Sequence, residues 1–167
     1  MKIFGVTGWK NNGKTGLMER LVSEIIARGF TVSTVKHAHH SFDVDQEGRD
    51  SFRHRAAGAQ QVMLSSNNRW ALMTELREAE ELSLEELLKQ LNPVDLVLIE
   101  GYKADRHPKI EAHRAEIGKD LIARSDDSIV AVASDIALEG IDVPVIDLND
   151  TNALADFVLN HAELEKV

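Results

Sequence analysis

Apolar residues recur along the chain in two alternating rhythms. Ile3 to Thr7 and the β-branched stretch Thr31 to Val35 read as short strands. Between them Leu17, Leu21 and Ile25 repeat at helical spacing, and Met18, Val22 and Ile26 widen that face, so the pattern predicts a helix from Lys14 to Arg28. Gly29 is the expected stop, because glycine accepts the left-handed conformation that ends a helix. The middle of the chain is less regular. His37 to Gly48 is polar and reads as a loop, and Asp50 to Ala57 as a short helix. Gln61 to Leu64 and Arg69 to Thr74 read as short strands about a turn at Ser65 to Asn68. Ser83-Leu84-Glu85-Glu86 has the form of a capping box, followed by one apolar face through Leu84, Leu87, Leu88 and Leu91, with Pro93 as terminator. Val94 to Ile99, interrupted only by Asp95, fits a central strand buried on both faces. Ile129 to Ala133 and Val143 to Ile146 suggest two more strands, Gly118 to Asp127 a charged surface loop, and Asn152 to His161 a last amphipathic helix. Alternation of this kind predicts an α/β fold with a mostly parallel sheet flanked by helices. The whole chain of 167 residues is expected to form a single domain.

Charge and composition narrow the partners. Nineteen basic and 28 acidic residues give a net charge of −9, which disfavours non-specific binding to nucleic acid or to an anionic membrane. The absence of cysteine excludes disulfides, thiolate metal sites and cysteine nucleophiles. The first residues lack the pattern of an export signal, and apolar runs such as Leu96 to Ile99 are too short to span a bilayer. The cytoplasm is therefore the expected location.

One segment overrides the acidic field locally. Gly8-Trp9-Lys10-Asn11-Asn12-Gly13-Lys14-Thr15 matches G-x-x-x-x-G-K-[ST] between an expected strand and an expected helix, the context of a Walker A phosphate loop. Gly8 and Gly13 let the backbone curl so that the N–H groups of Lys10, Asn11, Asn12 and Gly16 can face phosphate oxygens, and the helix N-terminus adds its dipole. Lys14 is suited to the β- and γ-phosphates, and the Thr15 hydroxyl to Mg²⁺. Leu96 to Gly101 has the form of a Walker B strand that delivers Glu100 to the same edge as a second Mg²⁺ ligand, with Asp45 or Asp43 as possible helpers.

A second cluster follows the second strand. His37, His39 and His40 lie within nine residues of one another with Asp43 and Asp45. Imidazole and carboxylate suit zinc or nickel, yet the spacing is not that of a structural zinc site. A switch-like loop beside the nucleotide, or a solvated loop without a role, are the competing readings. Arg49, Asp50 and Arg53 lie in a locally basic stretch suited to an anionic pterin or a second phosphate, or else to a solvated helix face. The six glutamates between Glu75 and Glu86 read as a solvated acidic segment, with docking to a basic partner as the alternative.

Taken nearly end to end, the chain resembles the bacterial molybdopterin-guanine dinucleotide biosynthesis adapter proteins, the MobB family. The resemblance rests on the phosphate loop and on Val35-Lys36-His37-Ala38-His39-His40, Asp43-Val44-Asp45 and Gly48-Arg49-Asp50-Ser51. It continues through Arg69-Trp70-Ala71-Leu72-Met73-Thr74-Glu75, Leu98-Ile99-Glu100-Gly101-Tyr102-Lys103, Ala131-Val132-Ala133-Ser134-Asp135 and Leu154 to Val158. It implies a homodimeric P-loop protein that binds GTP and Mg²⁺. It also implies assistance to a MobA-type guanylyltransferase that joins GMP to molybdopterin, with feeble GTPase activity at most. Asp135 stands where such proteins end a base-reading strand, but the preceding asparagine and lysine of the Asn-Lys-x-Asp pattern are missing. Neither a water-orienting residue nor an arginine finger can be assigned, which suits weak hydrolysis. A GTPase metallochaperone, argued from the histidines, and a small-molecule phosphotransferase are the alternatives.

Overall fold

The computed structural model describes residues 1–38 and 42–165. The chain divides into two compact units, Met1–His37 with Leu91–Val167, and Ala38–Gln90.

The first unit is a six-stranded parallel sheet in the order β2-β5-β1-β6-β7-β8, formed by β1 (Lys2–Thr7), β2 (Val32–Lys36), β5 (Leu96–Glu100), β6 (Lys109–His113), β7 (Ile129–Ser134) and β8 (Val145–Asp147). Helices α1 (Lys14–Ala27) and α4 (Thr151–His161) cover one face. Phe4 and Val6 of β1, Leu96 and Leu98 of β5, Ile110 and Ala112 of β6, and Ala131 and Ala133 of β7 point to these helices. Leu17, Leu21 and Ile25 of α1 and Leu154 and Val158 of α4 complete that core, so the helical spacing read in the sequence is the buried stripe. Gly29, at φ 86°, ends α1 as expected: its N–H donates to Ile26 O at 2.7 Å and that of Phe30 to Ile25 O at 3.2 Å. Asp150 caps α4 by accepting from Ala153 N at 3.0 Å.

Strand β6 is absent from the sequence reading. Three of its five residues are ionisable, and such alternation reads as half exposed, yet all five are buried. Ile110 and Ala112 join the helix-covered core, while Lys109, Glu111 and His113 occupy the other face and each finds a partner. Lys109 donates to Ser128 Oγ at 2.7 Å and to the Asp105 carbonyl. The Glu111 carboxylate accepts from Ile122 N at 3.0 Å and Ala123 N at 2.9 Å, and His113 Nδ1 lies 3.0 Å from Ser134 Oγ. The stretch read as a charged surface loop therefore contains a helical turn, Ile122–Arg124, whose first N–H groups are capped by a buried carboxylate.

The second unit contains α2 (Asp50–Ala56), the antiparallel hairpin of β3 (Gln61–Ser65) and β4 (Trp70–Thr74), and α3 (Leu84–Leu88). The hairpin forms where expected, with each strand end at the turn displaced by one residue, and Ser66 N donates to Arg69 O at 2.9 Å across the turn. The capping box at Ser83 forms in both directions. Helix α3 stops at Leu88, short of the apolar face read through Leu91, because Leu84 alone of its residues is buried and little packing holds a further turn. No helix among the described residues is long and apolar enough to cross a membrane.

One buried side chain makes the fold pH-sensitive. His107 is 8% exposed, packs beside Gly5 and Lys109, and among the described residues has no hydrogen-bond partner on either ring nitrogen. Burial, reinforced by the Lys109 ammonium, lowers its pKa from 6.5 to about 4. Because the folded value lies below the unfolded one, the unfolded chain takes up the proton first as the pH falls. This contribution is complete above about pH 6.5 and is lost toward pH 4. Urea unfolding at pH 7 and pH 4.5 should show a loss of about 2–3 kcal/mol from this group. His107→Leu should flatten the pH dependence by that amount, and an unchanged slope would assign it elsewhere.

Candidate functional site

The phosphate loop leaves β1 directly against β6. Gly8 has φ 139°, and a Cβ at that position would stand 2.5 Å from the Ala112 carbonyl oxygen. Only glycine meets both demands. Asn11 (φ 69°) and Gly13 (φ 84°) complete the curl, and Gly13 forms the N-cap of α1, so the N–H groups of the loop and first turn converge at the helix N-terminus. Asn12 is buried, and its side-chain nitrogen and oxygen have no hydrogen-bond partner among the described residues. Lys10, Asn11 and Thr15 are exposed at the loop surface, while Lys14 and Gly16 are partly covered.

Lys14, Glu100, Lys36 and Lys103 lie together at the mouth of the loop. Lys14 Nζ donates to the Trp9 carbonyl at 2.7 Å. Partial burial pulls its pKa below the usual lysine value; Glu100 opposes that shift, and the positive charges of Lys103 and Lys36 add to it. Glu100 ends β5, next to β1 in the sheet, and its side chain is 12% exposed and lies 3.3 Å from Lys36 Nζ. Lys103 Nζ sits 4.5 Å from the centre of the Trp9 ring, whose Nε1 donates to Asp120 O at 2.8 Å. An open groove beside α1 and β2 is lined by Thr15, Met18, Lys36 and Glu100 among others.

His37 adjoins this mouth: its N–H donates to Glu100 O at 2.9 Å, and its ring lies 4.8 Å from that of Tyr102. Asp135 follows β7, and one of its carboxylate oxygens accepts from Ala115 N at 2.9 Å. Asp45 lies in the second unit with its carboxylate nearly buried. It is held by Arg55 NH2 at 2.7 Å, and the same guanidinium reaches Asp43 at 2.8 Å and Glu75 at 3.3 Å. The hydrogen bond from Arg55 holds the Asp45 carboxyl below its ordinary pKa. Arg49, Asp50 and Arg53 are exposed about α2. His39 and His40 lie outside the described residues. Among the described residues, no group of three or more His, Asp or Glu side chains is placed to hold a metal ion.

Three contributors went unread in the sequence. Trp9 receives both Lys14 and Lys103. Arg114 packs its guanidinium against Gly13, where a Cβ would stand 3.0 Å from Nε. Lys103 lies outside both Walker motifs. A cation just beyond a Walker B carboxylate was a usable signal for Lys103, whereas Arg114 could not be placed without β6.

Residues 3–135 match the family model described as molybdopterin guanine dinucleotide synthesis protein B, MobB. The molybdopterin-guanine dinucleotide biosynthesis adapter protein of Haemophilus influenzae is 44% identical over 160 residues, covering 95% of this chain and 88% of that protein. Its namesake in Escherichia coli is 40% identical over 162 residues, covering 94% and 91%. The crystal structure of Bacillus subtilis MobB superposes with a TM-score of 0.76 at 26% identity over 96% of this chain and 97% of that one. A MobB homologue from Bacillus stearothermophilus gives 0.73 at 29% identity over 99% and 100%. The sheet, the loop and these neighbours define a fold of the P-loop NTPase type.

The contact between Gly8 and Ala112 can be tested directly. Gly8→Ala should lower the unfolding free energy by about 2–3 kcal/mol in urea, since it meets both the backbone strain and the carbonyl. Gly118→Ala, at φ 62° with nothing within 4 Å, should cost only about 1 kcal/mol. Equal losses would remove the close approach as the reason for glycine at position 8.

Proposed function

The chain belongs to the MobB family, and on that premise we propose that it is a GTP-binding adapter that assists a MobA-type guanylyltransferase in making molybdopterin guanine dinucleotide. The adapter role in that biosynthesis follows from family membership, and the P-loop fold is a nucleotide-binding one. The observation that carries the finer reading is the arrangement of Lys14 and Glu100 on adjacent elements at the glycine-framed loop. The loop N–H groups and the Lys14 ammonium would bind the phosphates, with Lys14 exchanging the Trp9 carbonyl for a charged acceptor.

The oxygen donors here suit Mg²⁺: a hydroxyl at the first turn of α1 and a carboxylate on the neighbouring strand. Thr15 and Glu100 would hold the ion, which would neutralise phosphate charge when bound. Asp45 stays a candidate metal ligand on the strength of the sequence alone, and its carboxylate is engaged by Arg55. Asp135 remains our candidate for the base, and molybdopterin a candidate ligand of the exposed Arg49, Asp50 and Arg53 and of the histidine segment. Homodimerisation, a cytoplasmic location and folding of the chain as one P-loop domain are further parts of the reading, and nucleic acid and membranes are not among its partners. No residue is assigned to orient an attacking water, so the protein itself should hydrolyse GTP slowly, and the transferase would perform the nucleotidyl chemistry.

Lys14→Ala should weaken GTP binding by calorimetry at least about tenfold, the equivalent of a charge-assisted contact of about 1.5–3 kcal/mol. The same variant should lose its stimulation of guanine dinucleotide cofactor synthesis by the transferase. Retained GTP affinity would remove the nucleotide site, and full stimulation without GTP binding would make nucleotide incidental to the adapter. Glu100→Gln should reduce the Mg²⁺-dependent part of GTP affinity more than the metal-free part. Equal reduction with and without Mg²⁺ would assign Glu100 to holding Lys36 instead.

A further inference from the structure

Trp9 occupies a variable position of the phosphate loop. It is large, 38% exposed, and fixed at two points: Nε1 donates to Asp120 O, and the carbonyl accepts from Lys14 Nζ. Its ring face carries a second ammonium, that of Lys103. Lys103 follows Glu100 by three residues, beyond Gly101 at φ 96° and Tyr102 at φ 47°, and its ammonium lies over the ring of Trp9 in the loop. The side chain of Lys103 is exposed, and among the described residues it forms no ion pair. Lys36, by contrast, is paired with Glu100. The mouth therefore gathers Lys14, Lys36 and Lys103 around the Glu100 carboxylate, in a chain whose net charge is −9.

Two ammonium groups on one residue repel each other and gain from any polyanion that reaches both. A diphosphate needs only the cradle of N–H groups and Lys14. A terminal phosphate adds charge at the side of the Walker B strand, where the chain turns toward Lys103. The contact with the indole is a cation–π interaction at an exposed site, weaker than a charge-assisted bond to phosphate. We propose that Lys103 is the residue by which this site distinguishes a nucleoside triphosphate from a diphosphate: its ammonium leaves the Trp9 ring for the terminal phosphate, and Trp9 holds it within reach until then. This rests on the nucleotide-binding reading above and extends it to a second cation outside the Walker motifs. Trp9, relieved of the cation, then reports the presence of the terminal phosphate.

The test compares a non-hydrolysable GTP analogue with GDP, in the presence of Mg²⁺, by calorimetry on the full chain. Lys103→Met keeps the aliphatic packing on the indole and removes the charge. It should weaken the analogue about tenfold while changing GDP affinity less than about twofold. Lys103→Arg, which keeps the charge and can stack on the ring, should restore most of the discrimination. In a Trp70→Phe background, where Trp9 is the sole tryptophan, the analogue should shift the fluorescence and GDP should not. Equal loss of both nucleotides in Lys103→Met, or loss of neither, would overturn the assignment while leaving nucleotide binding intact. Failure of the unsubstituted protein to bind either nucleotide would overturn the nucleotide site and this inference together.

Discussion

The constraint on which the rest of the molecule depends is the approach of Gly8 to the carbonyl of Ala112. A phosphate loop works only if its N–H groups converge, and convergence requires the backbone to turn sharply as it leaves the strand. Here the turn is made against the neighbouring strand β6, with no space for a side chain. The position of β6 thus sets the shape of the loop. The loop in turn sets the start of α1, and α1 packs with α4 over the same face of the sheet. Arg28 and Arg20 fasten the two helices' surroundings: Arg28 pairs with Glu24 and Asp156, and Arg20 donates to Thr151 Oγ1 and Leu148 O.

This dependence explains which parts of the molecule were legible in the sequence. The phosphate loop, α1 and β5 are specified by local signals: a glycine spacing, a helical repeat, an apolar run ending in a carboxylate. Each could be read without knowing its neighbours. Strand β6 could not, because Lys109, Glu111 and His113 are buried only by virtue of partners at Ser128, at Ile122 and Ala123, and at Ser134. No periodicity signals a polar side chain whose partner is supplied by a turn farther along the chain.

The same reasoning applies to the site. Lys14, Thr15 and Glu100 were nameable from motifs, and the structure brings Lys14 and Glu100 into electrostatic contact. The engagement of Asp45 by Arg55 was not, since the pair is joined across a loop and a helix and shared with Asp43 and Glu75. Trp9 occupies a variable position of the motif, so the pattern that identifies the loop says nothing about that residue. Its importance emerges from what converges on it: a carbonyl at Asp120 and two lysines.

In most parallel sheets a helix carries the chain from the end of one strand back to the start of the next. Between β2 and β5, which lie side by side, that return path is the whole of the unit Ala38–Gln90. The sheet asks of such a crossover only that it begin after Lys36 and deliver the chain to Leu96 in register. The stretch between is under its own packing rules, with its own hairpin, caps and ion pairs. A lineage could lengthen, reshape or re-charge that stretch to suit a different partner, while the glycine turn and the strands that frame it stayed as they are. The chain is in this sense a chemical cradle with an adjustable handle built into one of its connections.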